Sequence, residues 1–332
     1  MKLASDFPAL LQAFFTDRLM SQRNASPHTI AAYRDTFRLL FAYAQEQLGK
    51  RPSALTLEDL DSAFIGAFLD HLEHRRGNSA RSRNARLAGI RSFFRYLAFQ
   101  VPEHSSRVQR VLAMPSKKHQ RTMIDFLTEK ETRALLDAPD RHTWSGRRDY
   151  ALLLVAIQTG LRVSELVGLR CGDAILEPVA YIRCLGKGRK TRCTPLTRSV
   201  ASVLTIWMKE QDNQPTDPLF PNRSRSRLSA DGVQFILAKH IAVARQQCSS
   251  LNEKKVSPHV LRHTSAMNLL QAGADTSTIA LWLGHENPGT VHMYVEADLS
   301  MKQNILAKTA TPTGSAKRFR PDDRLLAFLN GL

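Results

Sequence analysis

Cysteine is scarce in this 332-residue chain. The four present, Cys171, Cys184, Cys193 and Cys248, include no C-x-x-C pair and stand near no histidine at ligand spacing. Neither a disulfide framework nor a zinc site is expected, and the four read as free thiols, small buried or half-buried side chains in a reducing compartment. Also missing is any apolar run long enough to span a bilayer, and Met1-Lys2-Leu3 opens no signal peptide, so a cytoplasmic location without membrane attachment is expected. Acid is in deficit too: 30 Asp plus Glu face 47 Lys plus Arg, for a formal charge of +17. That balance points to a polyanionic partner, nucleic acid before a membrane surface. The hydrophobic fraction of 43% is ample for real cores, and the length favours two domains.

Residues 1–110 read as helices only. The first helix is expected from Phe7 to Met20, with Phe7, Leu10, Leu11 and Phe14 on one face. Ser26-Pro27, an N-cap followed by proline at the first helical position, opens a second that carries Ile30, Tyr33, Phe37, Leu40 and Phe41. A third is expected to begin at Thr56, with Asp59 completing a weak capping box. The fourth, from Ser79 to Phe99, turns Leu87, Ile90, Phe94 and Leu97 inward and spreads Arg81, Arg83, Arg86, Arg91 and Arg95 around the rest. One such arginine is as easily a solvated helix face; five in a basic protein are better explained by phosphate contact. Residues 111–125 lose the period, contain Pro115 and carry Lys117, Lys118 and Arg121, the pattern of an extended basic linker.

Thr128 and Glu131 form a capping box at the head of the second domain, 126–308. A buried helix is expected from Arg148 to Thr159, ended by Gly160 in a left-handed cap, so that Arg162 starts the next helix with Glu165 one turn on. Ala180–Cys184 and Thr191–Leu196 read as a hairpin with Lys187 near its turn. Further helices are expected at about 199–210, 231–245, 259–271, 276–283 and 288–299, followed in 309–332 by a polar basic linker and a short apolar helix around Leu325, Leu326, Phe328 and Leu329.

The chemistry lies in five short segments taken in order: TGLRVSEL (159–166), GKGRK (186–190), SPHVLRHTSA (257–266), LGH (283–285) and HMYVEA (292–297). They hold Arg162, Lys187, His259, Arg262, His285 and Tyr294. A hydroxyl nucleophile amid fixed positive charge suits phosphoryl transfer without a metal. Arg162 and Arg262 offer planar forks for non-bridging oxygens, and Lys187 is a compact proton donor for a leaving hydroxyl. His259, at i, i+3 from Arg262, could accept the phenol proton of Tyr294 or bond an oxygen; His285 would be a further donor. Glu165 reads as support for Arg162, and His263 as support or core. His259 and His263 lie four residues apart, yet H-x-x-R-H lacks the glutamate of H-E-x-x-H, so no metal is expected.

These segments, in this order and spacing, resemble the tyrosine recombinase (phage integrase) family, Xer-like members in particular, over residues 7–308. The resemblance implies a mainly α fold: a helical, SAM-like core-binding domain, then an α+β catalytic domain with a small antiparallel sheet, clamped around double-stranded DNA. It also implies a 3′-phosphotyrosyl intermediate on Tyr294, no cofactor, and a tetramer on two DNA sites, of this chain alone or mixed with a second recombinase. Family C-terminal segments dock on a neighbouring protomer, which makes 321–332 a candidate for docking in cis or in trans. Val295-Glu296-Ala297 after the tyrosine, and the longer tail, depart from the commonest Xer pattern and favour a mobile-element integrase over a chromosome or plasmid dimer resolvase. Two rivals remain open at this point. One is a type IB topoisomerase, against which the helical N-terminal domain argues; the other is a catalytically silent DNA-binding or architectural protein, against which the intact six-residue set argues.

Overall fold

The computed structural model describes residues 6–118, 124–186, 191–211, 214–284 and 291–297. The chain divides into two compact units, Met1–Arg121 and Thr122–Leu332.

Among the described residues, the regular structure of the first unit is helical alone. Helix α1 (Phe7–Ala13) continues as a π-helical stretch, Phe14–Gln22, and is followed by α2 (Pro27–Leu48), α3 (Ser62–His74), α4 (Ala80–Gln100) and α5 (Ser105–Ala113). Local capping sets most of these starts. Ser26 accepts from the Thr29 N–H with Pro27 at the first helical position, and Ser79 accepts from the Ser82 N–H. The core is aromatic: Phe93 lies edge-on to Phe7, Phe14 and Phe37 with centroids 5.9, 5.3 and 5.4 Å away, the arrangement favoured by the ring quadrupoles. Leu87, Ile90, Phe94 and Leu97 of α4 are all buried, as their helical spacing requires.

Two boundaries differ from the sequence reading. Helix α3 begins at Ser62, capped by Asp61, because Asp59 closes a local turn on the Thr56 N–H (3.0 Å) and pairs with Lys50 (2.6 Å). Helix α5 takes up 105–113, burying Val108 and Val111, so ordered structure enters the stretch read as linker. Lys117 also belongs to the first unit: its N–H donates to Asn84 Oδ1 (3.0 Å) and its carbonyl accepts from Asn84 Nδ2 (2.8 Å).

In the second unit, α6 (Glu129–Asp137) opens on the expected Thr128–Glu131 capping box. Helix α7 (Trp144–Thr159) is buried along most of its length. After the one-turn α8 (Val163–Leu166) come three antiparallel strands, β1 (Ala174–Ile175), β2 (Tyr181–Leu185) and β3 (Thr191–Pro195), in the order β1-β2-β3. Ile182 pairs with Thr194 and Cys184 with Arg192; the two-residue β1 is too short to show in the sequence. Helices α9 (Arg198–Gln211), α10 (Ala230–Gln247), α11 (Pro258–Gln271), α12 (Thr276–Leu283) and α13 (His292–Ala297) complete the described unit. Polar ties join its segments: Asp149 of α7 meets His240 Nε2 of α10 at 2.9 Å in a buried setting, and Glu131 of α6 receives Lys254 Nζ at 2.7 Å. Three of the cysteines, Cys171, Cys184 and Cys248, are buried, whereas Cys193 is exposed on β3. Among the described residues no helix is long and apolar enough to cross a membrane, and no acid, histidine or cysteine cluster could hold a metal.

Candidate active site

Gly160 creates the first bend of the site. It caps α7 at φ +62°, the left-handed region, and a Cβ there would stand 2.6 Å from Leu283 Cδ2 and 2.9 Å from Ser265 Oγ. Only glycine meets both demands. The chain then turns so that Arg162 occupies the N-cap of α8 and faces Glu165. Glu165 Oε2 accepts the Arg162 backbone N–H at 2.8 Å, and its Oε1 accepts Arg162 Nη1 at 2.9 Å.

Arg262 projects from α11 and is 4% exposed. Its Nη1 donates to the Gly160 carbonyl (2.6 Å) and its Nη2 to the Leu283 carbonyl (2.7 Å), so one guanidinium satisfies end-of-helix carbonyls of both α7 and α12. The next carbonyl along, that of Gly284, accepts Arg162 Nη2 at 3.2 Å. Two cations from separate elements thus rest on consecutive carbonyls of one turn. Burial, with Arg162 close by, pushes the Arg262 pKa down to about 10, which leaves it charged at neutral pH.

The third guanidinium of the cluster is absent from the sequence reading. Arg192 of β3 grips Glu165 with both terminal nitrogens, Nη1 to Oε1 at 3.0 Å and Nη2 to Oε2 at 2.8 Å. Strand alternation, which turns Arg192 inward between exposed Thr191 and Cys193, is the signal that could have found it. Burial alone would raise the Glu165 pKa; the bonds from Arg192 and Arg162 outweigh it and hold the carboxyl below its ordinary value. Three guanidiniums against one carboxylate leave a concentrated positive field.

Tyr294 sits on α13, 1% exposed, with its hydroxyl 3.1 Å from His263 Nδ1. The imidazole beside the phenol is therefore His263, while His259, one turn earlier on α11, is exposed. Burial, with His259 and Arg262 adding to it, lowers the His263 pKa to about 4, so the ring is neutral near pH 7 and, with its proton on Nε2, can accept from the phenol. Burial raises the Tyr294 pKa, against the pull of Arg262 and Arg162. Lys187 and His285 lie outside the described residues, as do Arg121 and 321–332.

The basic residues of the first unit divide by environment. Arg83 is 6% exposed and meets Glu73 at 3.2 Å; Lys117 shares that carboxylate at 2.6 Å. Arg86 donates to the Ala32 carbonyl (3.1 Å) and Arg91 to Ser116 Oγ (3.3 Å). Arg81, Arg95 and Lys118 are exposed.

A helical unit followed by an α+β unit with a three-stranded sheet is the architecture of the tyrosine recombinases, enzymes that transfer DNA strands. The chain belongs to the phage integrase family: residues 125–301 match the Phage integrase family model, and residues 13–100 match the Phage integrase, N-terminal SAM-like domain. It is 56% identical over 323 residues to y4rC of Sinorhizobium fredii, named as an integrase/recombinase, covering 97% of each chain. Tyrosine recombinase XerC of Pelobacter propionicus is 32% identical over 295 residues, with 89% of this chain and 93% of the relative covered. In fold, the chain resembles the XerH site-specific recombinase bound to palindromic difH substrate, with a TM-score of 0.70 at 23% identity over 90% of this chain and 84% of that one.

Proposed function

We propose that this chain is a site-specific recombinase or integrase of a mobile element, cutting and rejoining duplex DNA through a 3′-phosphotyrosyl bond on Tyr294. The observation that carries this reading is the seating of Arg162 and Arg262 on the consecutive carbonyls of Gly284 and Leu283, which converges two planar donors on one spot. Phosphodiester cleavage piles negative charge on the non-bridging oxygens in the transition state, and fixed forks stabilise it without reorganising. Tyr294 Oη attacks phosphorus and its proton passes to His263 Nδ1, 3.1 Å away. The P–O5′ bond breaks, and the leaving 5′ oxygen takes a proton from Lys187, in the role the sequence assigns it; His259 and His285 are further donors to the phosphate. Attack by a 5′-hydroxyl of the partner strand reverses the step, conserving the phosphodiester without ATP, cofactor or metal.

Exchange between two duplex sites needs a nucleophile for each strand cut at each site. With one Tyr294 per chain, that supports a tetramer, of this chain alone or mixed with a second recombinase. Arg81, Arg95 and Lys118, exposed and outside the Glu73 ion pair that holds Lys117, are the candidates for backbone contact in a first unit that binds DNA. The 56% identity to an integrase/recombinase, against 32% to a XerC, favours the mobile-element role over dimer resolution, and a cytoplasmic site of action goes with it. Incubating the protein with DNA flanking its own gene and mapping any tyrosine-linked 3′ end tests activity and target together. No covalent adduct on any such fragment, with duplex binding retained, would favour a silent DNA-binding protein instead.

A further inference from the structure

Glu165 is held from two sides. On one, Arg162 offers its backbone N–H and Nη1; on the other, Arg192 offers Nη1 and Nη2 in a fork-to-fork pair at 3.0 and 2.8 Å. The side chains of Glu165 and Arg192 are 5% and 14% exposed, so water and salt screen the pair little. The guanidinium of Arg192 also packs on Gly284, where a Cβ would come within 2.8 Å of Nη1 and 3.1 Å of Cζ. The carbonyl of that same glycine receives Arg162 Nη2. Arg192 therefore braces both groups that orient the Arg162 guanidinium.

We propose that Arg192 is a positioning residue for the phosphoryl transfer, acting through Glu165 and Gly284 to hold Arg162 aimed at the scissile phosphate rather than touching the phosphate itself. The inference rests on the assignment of Arg162 as a phosphate ligand. Two effects follow from the geometry. With Arg192 present, one carboxylate is shared by two guanidiniums, so Arg162 keeps much of its charge for the substrate; without it, Arg162 and Glu165 are left as a one-to-one pair that closes on itself. Arg192 is also the second residue of β3, so it fastens the sheet edge to the arginine site. A lysine there would keep the charge but not the planar fork.

The test uses the full-length protein and a duplex carrying its mapped cleavage site, with either a phosphodiester or a methylphosphonate at the scissile position. A methylphosphonate lacks one anionic oxygen and so needs less help from Arg162. Arg192→Gln is expected to slow adduct formation at least ~10-fold on the phosphodiester, as misplacement of a transition-state donor does, with duplex affinity within about 2-fold. On the methylphosphonate the defect should shrink to about 3-fold or less, and Arg192→Gln combined with Arg162→Ala should be no slower than Arg162→Ala alone. Arg192→Lys should fall between wild type and Arg192→Gln, and it carries the same substrate comparison if the glutamine variant does not fold. Equal slowing on both substrates, a multiplicative loss in the double variant, or wild-type speed for Arg192→Gln would overturn the inference. Wild-type speed for Arg162→Ala would remove the assignment of Arg162 and this inference with it; an inactive Arg162→Ala beside a fully active Arg192→Gln removes only the inference.

Discussion

The hydroxyl of Tyr294 lies 3.1 Å from Nδ1 of His263 and is almost wholly shielded from solvent. Burial raises the pKa of this phenol, and under the proposed chemistry a phosphate held by Arg162 and Arg262 is what its oxygen would attack. Tyr294→Phe is expected to abolish covalent protein–DNA adducts, seen as loss of the shifted band on a denaturing gel, while duplex affinity changes by less than about 3-fold. Persistent adducts would remove the nucleophile assignment.

Removing either cation should act on chemistry more than on binding. Arg162→Ala and Arg262→Ala are each expected to lower the cleavage rate at least ~100-fold, the scale of losing one transition-state donor. Their folding consequences differ, because Arg262 also satisfies the Gly160 and Leu283 carbonyls in a buried setting. Arg262→Ala should destabilise by about 2–4 kcal/mol in a denaturant titration, beyond the cost of Arg162→Ala.

His263 makes stability depend on pH in the mildly acidic range. Its folded pKa, about 4, lies below the ordinary 6.5, so the unfolded chain binds the proton first. The contribution of this group is complete above about pH 6.5 and is lost as pH falls toward 4. In paired urea titrations, His263→Phe should flatten the decline between those pH values; an unchanged slope would mean that the ring is not buried neutral.

The basic residues of α4 should separate by readout. Arg81→Ala and Arg95→Ala are each expected to reduce the slope of log affinity against log salt by about 1. Arg83→Ala should lower thermal stability instead, because it empties a buried position and leaves Glu73 only the contact to Lys117 of its two ion pairs. A salt slope that responds to Arg83 and not to Arg81 or Arg95 would reverse the assignment.

Gly160→Ala combines a positive φ with a contact of 2.6 Å to Leu283. We expect a loss of about 2–4 kcal/mol in the same denaturant assay, with the cleavage rate falling as well because the Gly160 carbonyl anchors Arg262. An alanine variant as stable as wild type would show that the bend can relax.

What the sequence made legible was mostly local. Ser26-Pro27, Ser79 and the Thr128–Glu131 box act through side chains bonded within one turn, so their spacing is their mechanism. Thr56 and Asp59 have the same spacing but close a turn, with Lys50, outside that turn, taking the other carboxylate oxygen. His259 and His263 differ by a single helical turn. Which of them faces the phenol depends on how α11 rolls against α7 and α13, and periodicity alone does not encode that roll. Arg192 was harder still: its partner Glu165 is 27 residues away, joined only by the folding of the sheet onto α8. The catalytic assignments of Lys187 and His285 continue to rest on their motifs.

Arg262 has a consequence for how this protein could lose its activity over generations. The guanidinium expected to grip phosphate also ties the ends of α7 and α12. A lineage drifting toward mere DNA binding could replace Tyr294 with phenylalanine, which keeps the buried ring, at little cost to the fold, whereas substitution of Arg262 would loosen the domain itself. Inactive descendants should therefore be recognisable by a missing phenol above an intact arginine.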